Sequence, residues 1–486
     1  GQVPSNLIGE DAFQETDMVG CSRPVVKHSF LVKRAEDIPD AIAKAYYIAN
    51  TGRPGPVVVD LPKDIVNVME EHPYVFPTDV SMRSYNPTVR GHMKQVKKAV
   101  ASLKQAERPV LYVGGGAITA EASGLVTQLA ELLKAPVTCT LMGLGAFPGT
   151  HEQFVGMLGM HGSYEANWAM HDCDVMVCVG ARFDDRVTGR LDAFSPNSKK
   201  IHIDIDPSSI NKNIQVDVPI VGDVAHVLED MIRIWKANAY QANAEKLQPW
   251  WNQINAWRAK DGFAYKQTDD VIKPQYAIQR LYEAIKDRDH YITTEVGQHQ
   301  MWAAQLWKFE EPNRWMTSGG LGTMGYGLPA AMGVQVAHPD ALVVDIAGEA
   351  STMMNIQEMS TLAQYNLPVK AFILNNQWMG MVRQWQELLH GGRYSETYSS
   401  SLPDFVKLAE SFHAVGLRAE TPAELDDLIE QMLSTDKPVI ADVRVCQTEN
   451  CFPMVPSGAA HNEMILGPEA NQEDAPVVTS EGMALV

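Results

Sequence analysis

Cysteine is scarce in this sequence, and its spacing is informative. No two cysteines form a CxxC pair, so neither a disulfide framework nor a zinc site is expected. The six residues are Cys21, Cys139, Cys173, Cys178, Cys446 and Cys451. Scattered single cysteines are typical of reduced thiols, and we therefore expect a cytoplasmic protein.

Long apolar runs and excess positive charge are also missing. No apolar run approaches the roughly 20 residues that a membrane-spanning helix needs, so we do not expect a membrane protein. Lys and Arg total 40 against 59 Asp and Glu, a formal charge of −19, which argues against binding to nucleic acid or to an anionic membrane. The net charge does not exclude small anionic substrates, because a few local Arg or Lys residues suffice to bind them.

Apolar strands alternate with helical patterns along the 486 residues, a length too great for one hydrophobic core. Continuous apolar strands separated by helices predict an α/β protein whose parallel sheets are covered by helices. The predicted strands are 57–61, 110–113, 175–179, 201–205, 343–347, 369–374 and 439–443.

These strands fall into three blocks. We predict a first domain at residues 1–75, a proline-containing linker at 76–92, a second domain at 93–270, a third at 271–450, and a flexible or capping tail at 451–486. The chain opens without methionine and continues at once as domain-like sequence, so we expect an N-terminal truncation.

The third block carries polar side chains where two successive strands end. Strand 343–347 runs into Gly348-Glu349-Ala350-Ser351, and strand 369–374 runs into Asn375-Asn376. Between them we predict one helix, from Met353 to about Tyr365. Strand ends of this kind face one crevice of an open α/β sheet, where ligands bind.

This arrangement favours a metal and a phosphate. Glu349 offers a carboxylate oxygen and Asn376 an amide oxygen, a combination that suits Mg²⁺ or Ca²⁺, and the helix start behind Ser351 offers N–H groups to a phosphate. Taken singly, Glu349 is more simply a helix-terminal acid and Asn375-Asn376 a turn. The spacing of the two together favours the ligand site.

A second glycine-rich segment, 318–329, contains a formal GxGxxG pattern. As a dinucleotide fingerprint it is weak, because no apolar strand precedes it. We predict a loop of close backbone approach that enters a helix at Pro329. Met324 within it is either an apolar wedge against a ligand ring or a core residue.

Several longer motifs carry a family resemblance. Gly-acid followed some 27 residues later by Asn-Asn resembles the thiamine-diphosphate motif, with Glu349 in place of the usual Asp and Ala350 in place of the second Gly. Motifs spread over nearly the whole chain are similar to catalytic large subunits of the acetohydroxyacid (acetolactate) synthase family. They are 52–56, 60–64, 180–189, 296–302, 319–329, 353–358 and 379–385.

The resemblance implies a three-domain thiamine-diphosphate-enzyme architecture. The first domain is the incomplete remainder of the pyrimidine-binding domain, the second resembles an FAD-binding domain, and the third binds the diphosphate and metal. The implied reaction decarboxylates pyruvate on thiamine diphosphate and joins the two-carbon product to a second 2-ketoacid, pyruvate or 2-ketobutyrate. It gives 2-acetolactate or 2-aceto-2-hydroxybutyrate in branched-chain amino-acid biosynthesis.

The resemblance also implies roles for individual residues and the cofactors thiamine diphosphate, Mg²⁺ and FAD. Metal ligands are Glu349, Asn376 and the carbonyl of Trp378. Thiamine diphosphate would contact Gln298, His299, Met324, Gly348, Ala350, Ser351 and Met381. Catalysis and substrate binding fall to Arg186, which takes the ketoacid carboxylate, to Trp385, which shapes the acceptor pocket, and to a channel lined by Phe13, Gln14 and Lys63. FAD would contact Arg53, Gly114, Gly115, Gly116, Met160, His161, Gly162, Arg182, Asp204, Asp206, Gly222, Asp223 and Val224.

Some of these residues have simpler interpretations. The Gly114–Gly116 turn is equally an ordinary strand-to-helix connection, and Arg182 and Arg186 with their neighbouring acids form a surface cluster worth little if exposed. Trp385 beside Met and Val is typical of a core residue.

The family's catalytic glutamate lies in a segment that precedes the sequence matching Gly1. We assign no residue to it and expect the chain as written to lack efficient catalysis. The family implies a homodimer or tetramer, a small regulatory subunit and small 2-ketoacid substrates. Alternatives are another thiamine-diphosphate enzyme, such as a glyoxylate carboligase, an FAD-free acetolactate synthase or a 2-ketoacid decarboxylase, and a non-catalytic paralogue used for assembly or binding.

Overall fold

The computed structural model describes residues 1–67, 71–75 and 77–470. Residues 68–70, Phe76 and 471–486, which fall in the predicted first domain, linker and tail, lie outside the described residues.

Residues 1–67 form a small parallel sheet with a helix against it. Strands β1 and β2 pair from His28 opposite Val57 to Leu31 opposite Asp60, and α2 packs on both. The elements are α1 (Met18–Ser22), β1 (His28–Leu31), α2 (Ile38–Asn50), β2 (Val57–Asp60) and α3 (Lys63–Val66).

The second unit is a six-stranded parallel sheet in the order β5-β4-β3-β6-β7-β8. Its elements are α4 (Met93–Gln105), β3 (Pro109–Val113), α5 (Gly115–Thr119), α6 (Ser123–Leu133), β4 (Val137–Cys139), β5 (Phe154–Met157), α7 (Tyr164–Asp172), β6 (Val175–Val179), α8 (Asp185–Thr188), β7 (Lys199–Asp204), β8 (Val218–Val221), α9 (Val224–Ala237) and α10 (Ala244–Arg258). All five residues of β3 and of β6 are buried, because helices cover both faces of the sheet. The chain reverses direction across the sheet between these two strands, and such a switch point opens a ligand crevice.

The third unit is a second six-stranded parallel sheet, in the order β10-β9-β11-β12-β14-β13. Its elements are α11 (Pro274–Ile285), β9 (His290–Thr294), α12 (Gln298–Leu306), β10 (Trp315–Met316), α13 (Gly327–Ala337), β11 (Leu342–Ala347), α14 (Glu349–Thr352), α15 (Glu358–Gln364), β12 (Lys370–Asn375), α16 (Gly380–Leu388), α17 (Phe405–Ser411), β13 (Val415–Ala419), α18 (Pro422–Ser434) and β14 (Val439–Arg444). Strands β11 and β12 are direct neighbours, with Ala347 opposite Ile373. Their carboxyl ends therefore lie side by side.

The predicted fold class is confirmed, since parallel sheets flanked by helices make up the structure. The single helix predicted from Met353 to about Tyr365 is wrong. Helix α14 already begins at Glu349, a 3-10 turn follows at Met353–Asn355, and α15 begins only at Glu358. The break places Asn355 where its side-chain amide donates to the carbonyl oxygen of Gly325, 2.5 Å away.

The tail packs back on the molecule through residue 470. The backbone N–H of Val455 donates to the carbonyl of Met160 at 2.8 Å, and that of Arg190 donates to Ala459 at 3.0 Å. Gln305 of the third unit donates to the carbonyl of Phe452 at 3.2 Å, so this part of the tail contacts both the second and the third unit. Within the described residues, no helix is long and apolar enough to cross a membrane.

Candidate active site

The polar residues predicted to form a half-site do meet at one sheet edge. Gly348 follows β11 and precedes the first turn of α14, which starts with Glu349. Asn376 directly follows β12, the neighbouring strand. Because α14 begins at Glu349 and not at Met353, the free N–H groups of its first turn belong to residues 349–351.

Glu349 is the most informative residue at this edge. It is 1% exposed, and its Oε1 has no hydrogen-bond partner among the described residues. Burial raises the pKa of its carboxyl to about 7, although its own backbone N–H and that of Asn376 oppose the shift. A buried carboxylate oxygen without a donor calls for an explanation, and a bound cation supplies one.

A metal at this position would draw on neutral oxygens as well as on Glu349. In the part of the chain that the structure describes, no group of three His, Cys, Asp or Glu side chains could hold a metal. The amide of Asn376 and the carbonyl of Trp378, both of which line the same cleft as Glu349, are oxygen ligands of the kind that Mg²⁺ accepts beside water and phosphate.

The cleft is partly open and holds a cavity of about 70 Å³. It brings together all the residues predicted to bind thiamine diphosphate and metal, with several apolar neighbours. Its lining comprises Val296, Gly297, Gln298, His299, Trp302, Met324, Gly348, Glu349, Ala350, Ser351, Leu374, Asn376, Trp378, Met379, Gly380, Met381 and Val382.

Gln298 lines the cleft, but its side chain is already engaged. Its Nε2 donates to Oε1 of Gln384 at 2.9 Å and to the carbonyl of Glu449 at 3.0 Å, and its Oε1 accepts from Nδ2 of Asn376 at 3.2 Å. A Cβ atom on Gly380 would lie 2.1 Å from that Oε1, so a larger residue there would displace the Gln298 side chain. The group of Gln298 that remains for binding a diphosphate is its backbone N–H, at the first position of α12.

His299 is buried and neutral at physiological pH. Burial lowers the pKa of its imidazole to about 3, and its Nε2 has no hydrogen-bond partner among the described residues. A Cβ atom on Gly297 or Gly348 would lie 2.7 or 2.8 Å from the ring. The two glycines therefore leave room for the imidazole at the cleft wall.

Arg186 belongs to the second unit and Trp385 to the third, and their side chains lie close to each other. The guanidinium carbon of Arg186 lies 5.9 Å from the centre of the Trp385 ring. Arg186 pairs with the exposed Asp185 at 3.4 Å and remains 60% exposed, so its charge is available to a ligand. Trp385 is half-buried and not a core residue; it follows the cleft-lining residues Met381 and Val382 on α16.

The predicted channel residues of the first unit lie elsewhere. Phe13, Gln14 and Lys63 do not line the cleft within this chain, and Phe13 is 88% exposed. The contacts of the first unit with other parts of the chain include an ion pair of 3.8 Å between Arg53 and Asp206. One copy of the chain therefore does not unite the predicted channel with the predicted metal site.

The residues predicted to bind FAD collect at the carboxyl edge of the second sheet. Gly114–Gly116 follows β3, Arg182 follows β6, Asp204 ends β7 with Asp206 after it, and Gly222 follows β8. Asp223 and Val224 have structural roles there: Asp223 accepts from the N–H groups of Ala225 and His226 as the cap of α9, and Val224 is a core residue.

Two of the three glycines in the β3 turn have a packing reason. A Cβ atom on Gly114 would lie 2.4 Å from the carbonyl oxygen of Gly180, and one on Gly116 would lie 2.8 Å from the Gly180 Cα. The N–H of Gly116 donates to the same carbonyl at 3.0 Å. Close packing of two strand ends thus explains both glycines without a cofactor.

Met160–Gly162 joins the second unit to the third. The imidazole Nδ1 of His161 lies 3.0 Å from the carbonyl oxygen of Pro453, and Gln305 on α12 donates to the His161 carbonyl at 2.9 Å. Burial lowers the pKa of His161 to about 4. This segment therefore supports the placement of Arg186, whose carbonyl accepts from Met160 at 2.7 Å.

Sequence reasoning missed the buried polar residues that hold the cleft together. Gln384 is fully buried, and its Oε1 accepts from the N–H of Cys451 at 2.6 Å as well as from Gln298. Glu295 and Asp345 are fully buried below the glycine-rich segment. For Glu295 and Asp345 the sequence contained a signal: each is an acid inside or just after an apolar strand, and a buried acid needs a specific partner.

Two known family models match the second and the third unit separately. The second unit matches the model "Thiamine pyrophosphate enzyme, central domain" over residues 96–231, and the third matches "Thiamine pyrophosphate enzyme, C-terminal TPP binding domain" over residues 295–443. Fold and cleft together therefore define a thiamine-diphosphate-dependent enzyme.

Similar curated proteins narrow this class. The chain is 53% identical over 467 residues to the acetolactate synthase large subunit of Haemophilus influenzae, covering 96% of this chain and 81% of that protein. It is 52% identical over 469 residues to the acetolactate synthase isozyme 3 large subunit of Escherichia coli, covering 96% and 82%. The chain belongs to the acetolactate synthase large-subunit family.

Proposed function

We propose that the cleft beside β11 and β12 binds thiamine diphosphate with Mg²⁺ and joins two 2-ketoacids, with release of CO₂, into 2-acetolactate or 2-aceto-2-hydroxybutyrate. The observation that carries this proposal is the unpartnered Oε1 of Glu349, buried next to Asn376 at two neighbouring strand ends. Family membership supplies the reaction, and this edge supplies its location.

Glu349, Asn376 and the carbonyl of Trp378 would hold the metal. The N–H groups at the starts of α12 and α14 belong to residues that line the same cleft and would bind the diphosphate. Thiamine diphosphate, when bound, supplies an electron sink for the bond-breaking and bond-making steps. Because His299 is neutral there, it adds a polar wall without a positive charge.

Substrate recognition would fall to Arg186 and Trp385. The exposed guanidinium of Arg186 would bind the carboxylate of the ketoacid by charge-assisted hydrogen bonds. The indole of Trp385, 5.9 Å away, would bound the pocket for the side chain of the acceptor. The two residues thus divide the recognition of the acid group from that of the alkyl group.

FAD is proposed for the carboxyl edge of the second sheet. The edge lies at a switch point between β3 and β6, and it carries Arg53 and Arg182 as cations for a diphosphate and Asp204 as an acceptor. Arg182 pairs with Asp184 and Arg53 with Asp206, so these cations would exchange carboxylate partners for phosphate. The close packing around Gly114 and Gly116 limits what the turn itself could contact.

A homodimer or tetramer is proposed because one chain leaves its site incomplete. Phe13 on the first unit is 88% exposed, and Leu321, in the loop that carries Met324, is 93% exposed; contact with a second copy would remove both apolar side chains from water. We propose that the first unit of a second copy, bearing Phe13, Gln14 and Lys63, covers the cleft. A small regulatory subunit is proposed from the large-subunit relatives, and a reducing, cytoplasmic location from six free cysteines.

The test is a product assay on the full-length protein. With pyruvate, thiamine diphosphate and Mg²⁺, we expect CO₂ release and acetolactate formation, and neither when thiamine diphosphate is omitted. Acetaldehyde as the product would show a ketoacid decarboxylase. A protein that binds the cofactor without turnover would be a non-catalytic paralogue.

A further inference from the structure

The glycine-rich segment that carries Met324 is an exposed loop with few anchors. Leu321 is 93% exposed, and a Cβ atom on Gly320 would meet nothing within 4 Å. The N–H of Thr323 donates to Oγ of Ser318 at 3.0 Å, within the loop itself. The residue after Met324 is held from both sides.

Gly325 has one side chain on each of its backbone polar groups. Its N–H donates to Oε2 of Glu295 at 2.6 Å, and its carbonyl oxygen accepts from Nδ2 of Asn355 at 2.5 Å. Its φ is +87°, and a Cβ atom there would lie 2.7 Å from the Asn355 amide. Glycine is therefore required, and the peptide next to Met324 is fixed in orientation.

Glu295 also anchors the start of the following helix. Its Oε1 accepts from the N–H of Leu328 at 3.1 Å, in the first turn of α13. A carboxylate at a helix N-terminus satisfies N–H groups that lack helical partners and meets the positive end of the helix dipole. One fully buried side chain thus ties the end of the loop to the helix behind it.

Asp345 lies near Glu295, and its surroundings help to show which of the two carboxyl groups is ionised. It lies on β11, fully buried, and its Oδ1 accepts from the hydroxyl of Thr293 at 3.0 Å. Burial and then the nearby charge of Glu295 raise the pKa of Asp345 well above its ordinary value. Burial raises the pKa of Glu295 as well, but the backbone N–H groups of Leu328 and Gly325 oppose that shift. Because two N–H groups donate to Glu295 and a single hydroxyl donates to Asp345, we place the negative charge on Glu295, facing the loop N–H groups.

We propose that Glu295 and Asn355 are positioning residues that clamp the Gly325 peptide and thereby present Met324 to thiamine diphosphate. Neither side chain lines the cleft, so both act through Met324. This inference rests on the proposed function, because it requires the cofactor to bind in the cleft.

The test measures cofactor binding and loop protection separately. Glu295→Gln removes the charge and turns a donor toward one of the loop N–H groups. Charge-assisted hydrogen bonds of this kind are worth about tenfold or more in binding, so we expect the Kd for thiamine diphosphate, at saturating Mg²⁺, to rise by about tenfold. Amide hydrogen exchange at Gly325 and Leu328 should accelerate in the cofactor-free protein.

Two further variants keep the test decisive. Asn355→Ala releases the other side of the clamp from a half-buried position, should fold if Glu295→Gln does not, and should raise the same Kd. In a Met324→Ala background, Glu295→Gln should change the Kd by less than about threefold, because its effect passes through Met324. Glu165→Gln, on α7 of the second unit, serves as the control and should leave the Kd unchanged.

The outcomes separate the two proposals. A wild-type protein that binds no thiamine diphosphate would overturn the proposed function and this inference together. Normal binding by the wild type with an unchanged Kd in Glu295→Gln and Asn355→Ala would overturn the clamp alone. The clamp would also be overturned if the Kd of the double variant rose by the product of the factors found for Glu295→Gln and Met324→Ala alone. Such independent effects exclude action through Met324.

Discussion

The guanidinium of Arg186 and the indole of Trp385 lie 5.9 Å apart, although α8 and α16 belong to different sheets. The contact depends on the junction between the second and third units, which the tail contacts, because the N–H of Met160 donates to the Arg186 carbonyl and the Met160 carbonyl accepts from Val455. A cation is thereby held next to an aromatic ring on α16, the helix whose first residues line the cleft. The junction therefore supports the spacing between the two residues that we propose as the substrate pocket.

Arg186→Gln should weaken ketoacid binding. Loss of a charge-assisted hydrogen bond to a carboxylate costs about 1.5–3 kcal/mol, so we expect KM for pyruvate to rise roughly tenfold to a hundredfold while the protein still binds thiamine diphosphate. Steady-state kinetics with separate cofactor titration measures both. Arg190→Gln, which alters a nearby exposed ion pair with Asp192, is the matched control. A KM unchanged by Arg186→Gln would remove Arg186 from substrate binding.

Trp385→Leu should alter the choice of acceptor. The indole would contact the alkyl part of the second ketoacid, and one methylene in an apolar pocket discriminates by about 1–3 kcal/mol. We expect the ratio of 2-aceto-2-hydroxybutyrate to 2-acetolactate, in competition between 2-ketobutyrate and pyruvate, to change about tenfold. An unchanged ratio together with reduced thermal stability would show that Trp385 serves only packing.

Glu349→Gln should abolish tight metal binding. The substitution keeps the shape but removes the charged ligand, and an amide binds Mg²⁺ more weakly than a carboxylate does. We expect the Kd for Mg²⁺, measured by calorimetry with thiamine diphosphate present, to rise at least tenfold. Glu358→Gln, an acid of the same segment that lies outside the cleft, should bind Mg²⁺ like the wild type. Equal affinities in all three proteins would place the metal elsewhere.

Sequence patterns predicted the sheets and the polar strand ends of the third unit, for a physical reason. Buried parallel strands are continuous apolar runs, so β6 was predicted with the bounds 175–179 that the structure has, and strand ends locate Glu349 and Asn376. The break between α14 and α15 was not predicted, because it accompanies a contact of Asn355 with Gly325, 30 residues away, and local sequence patterns do not report such contacts. The network around Gln384 was missed for the same reason, since it joins α16 to Gln298 and Cys451.

Gly114→Ala should destabilise the second unit whether or not FAD is bound. The new Cβ would lie 2.4 Å from the Gly180 carbonyl oxygen and 2.6 Å from the Ala181 Cβ, and overpacking of this kind costs about 1–3 kcal/mol. A lower melting temperature of the flavin-free protein is expected. Gly124→Ala, in open space on α6, should be neutral or stabilise by up to about 1 kcal/mol. Loss of flavin without loss of stability in Gly114→Ala would instead make this a cofactor glycine.

His461→Phe should make the protein less sensitive to acid. His461 is 1% exposed, and neither ring nitrogen has a hydrogen-bond partner among the described residues. Its ring lies 5.1 Å from those of His171 and Phe194. Burial, and then the charges of His171 and Lys200, lower the pKa of His461 from 6.5 to about 3.

The lowered pKa of His461 determines how the stability of the protein changes with pH. The unfolded chain takes up a proton below pH 6.5 while the folded imidazole does not, so the stability present above that pH is lost as the pH falls toward 3. At pH 5 the loss amounts to about 2 kcal/mol. Phenylalanine keeps a ring against Phe194 and cannot be protonated, so the drop in melting temperature between pH 7.5 and pH 5 should be smaller in His461→Phe than in the wild type. His92→Gln, an exposed position, should behave like the wild type, and an equal drop in all three proteins would exclude His461 as an acid-sensitive group.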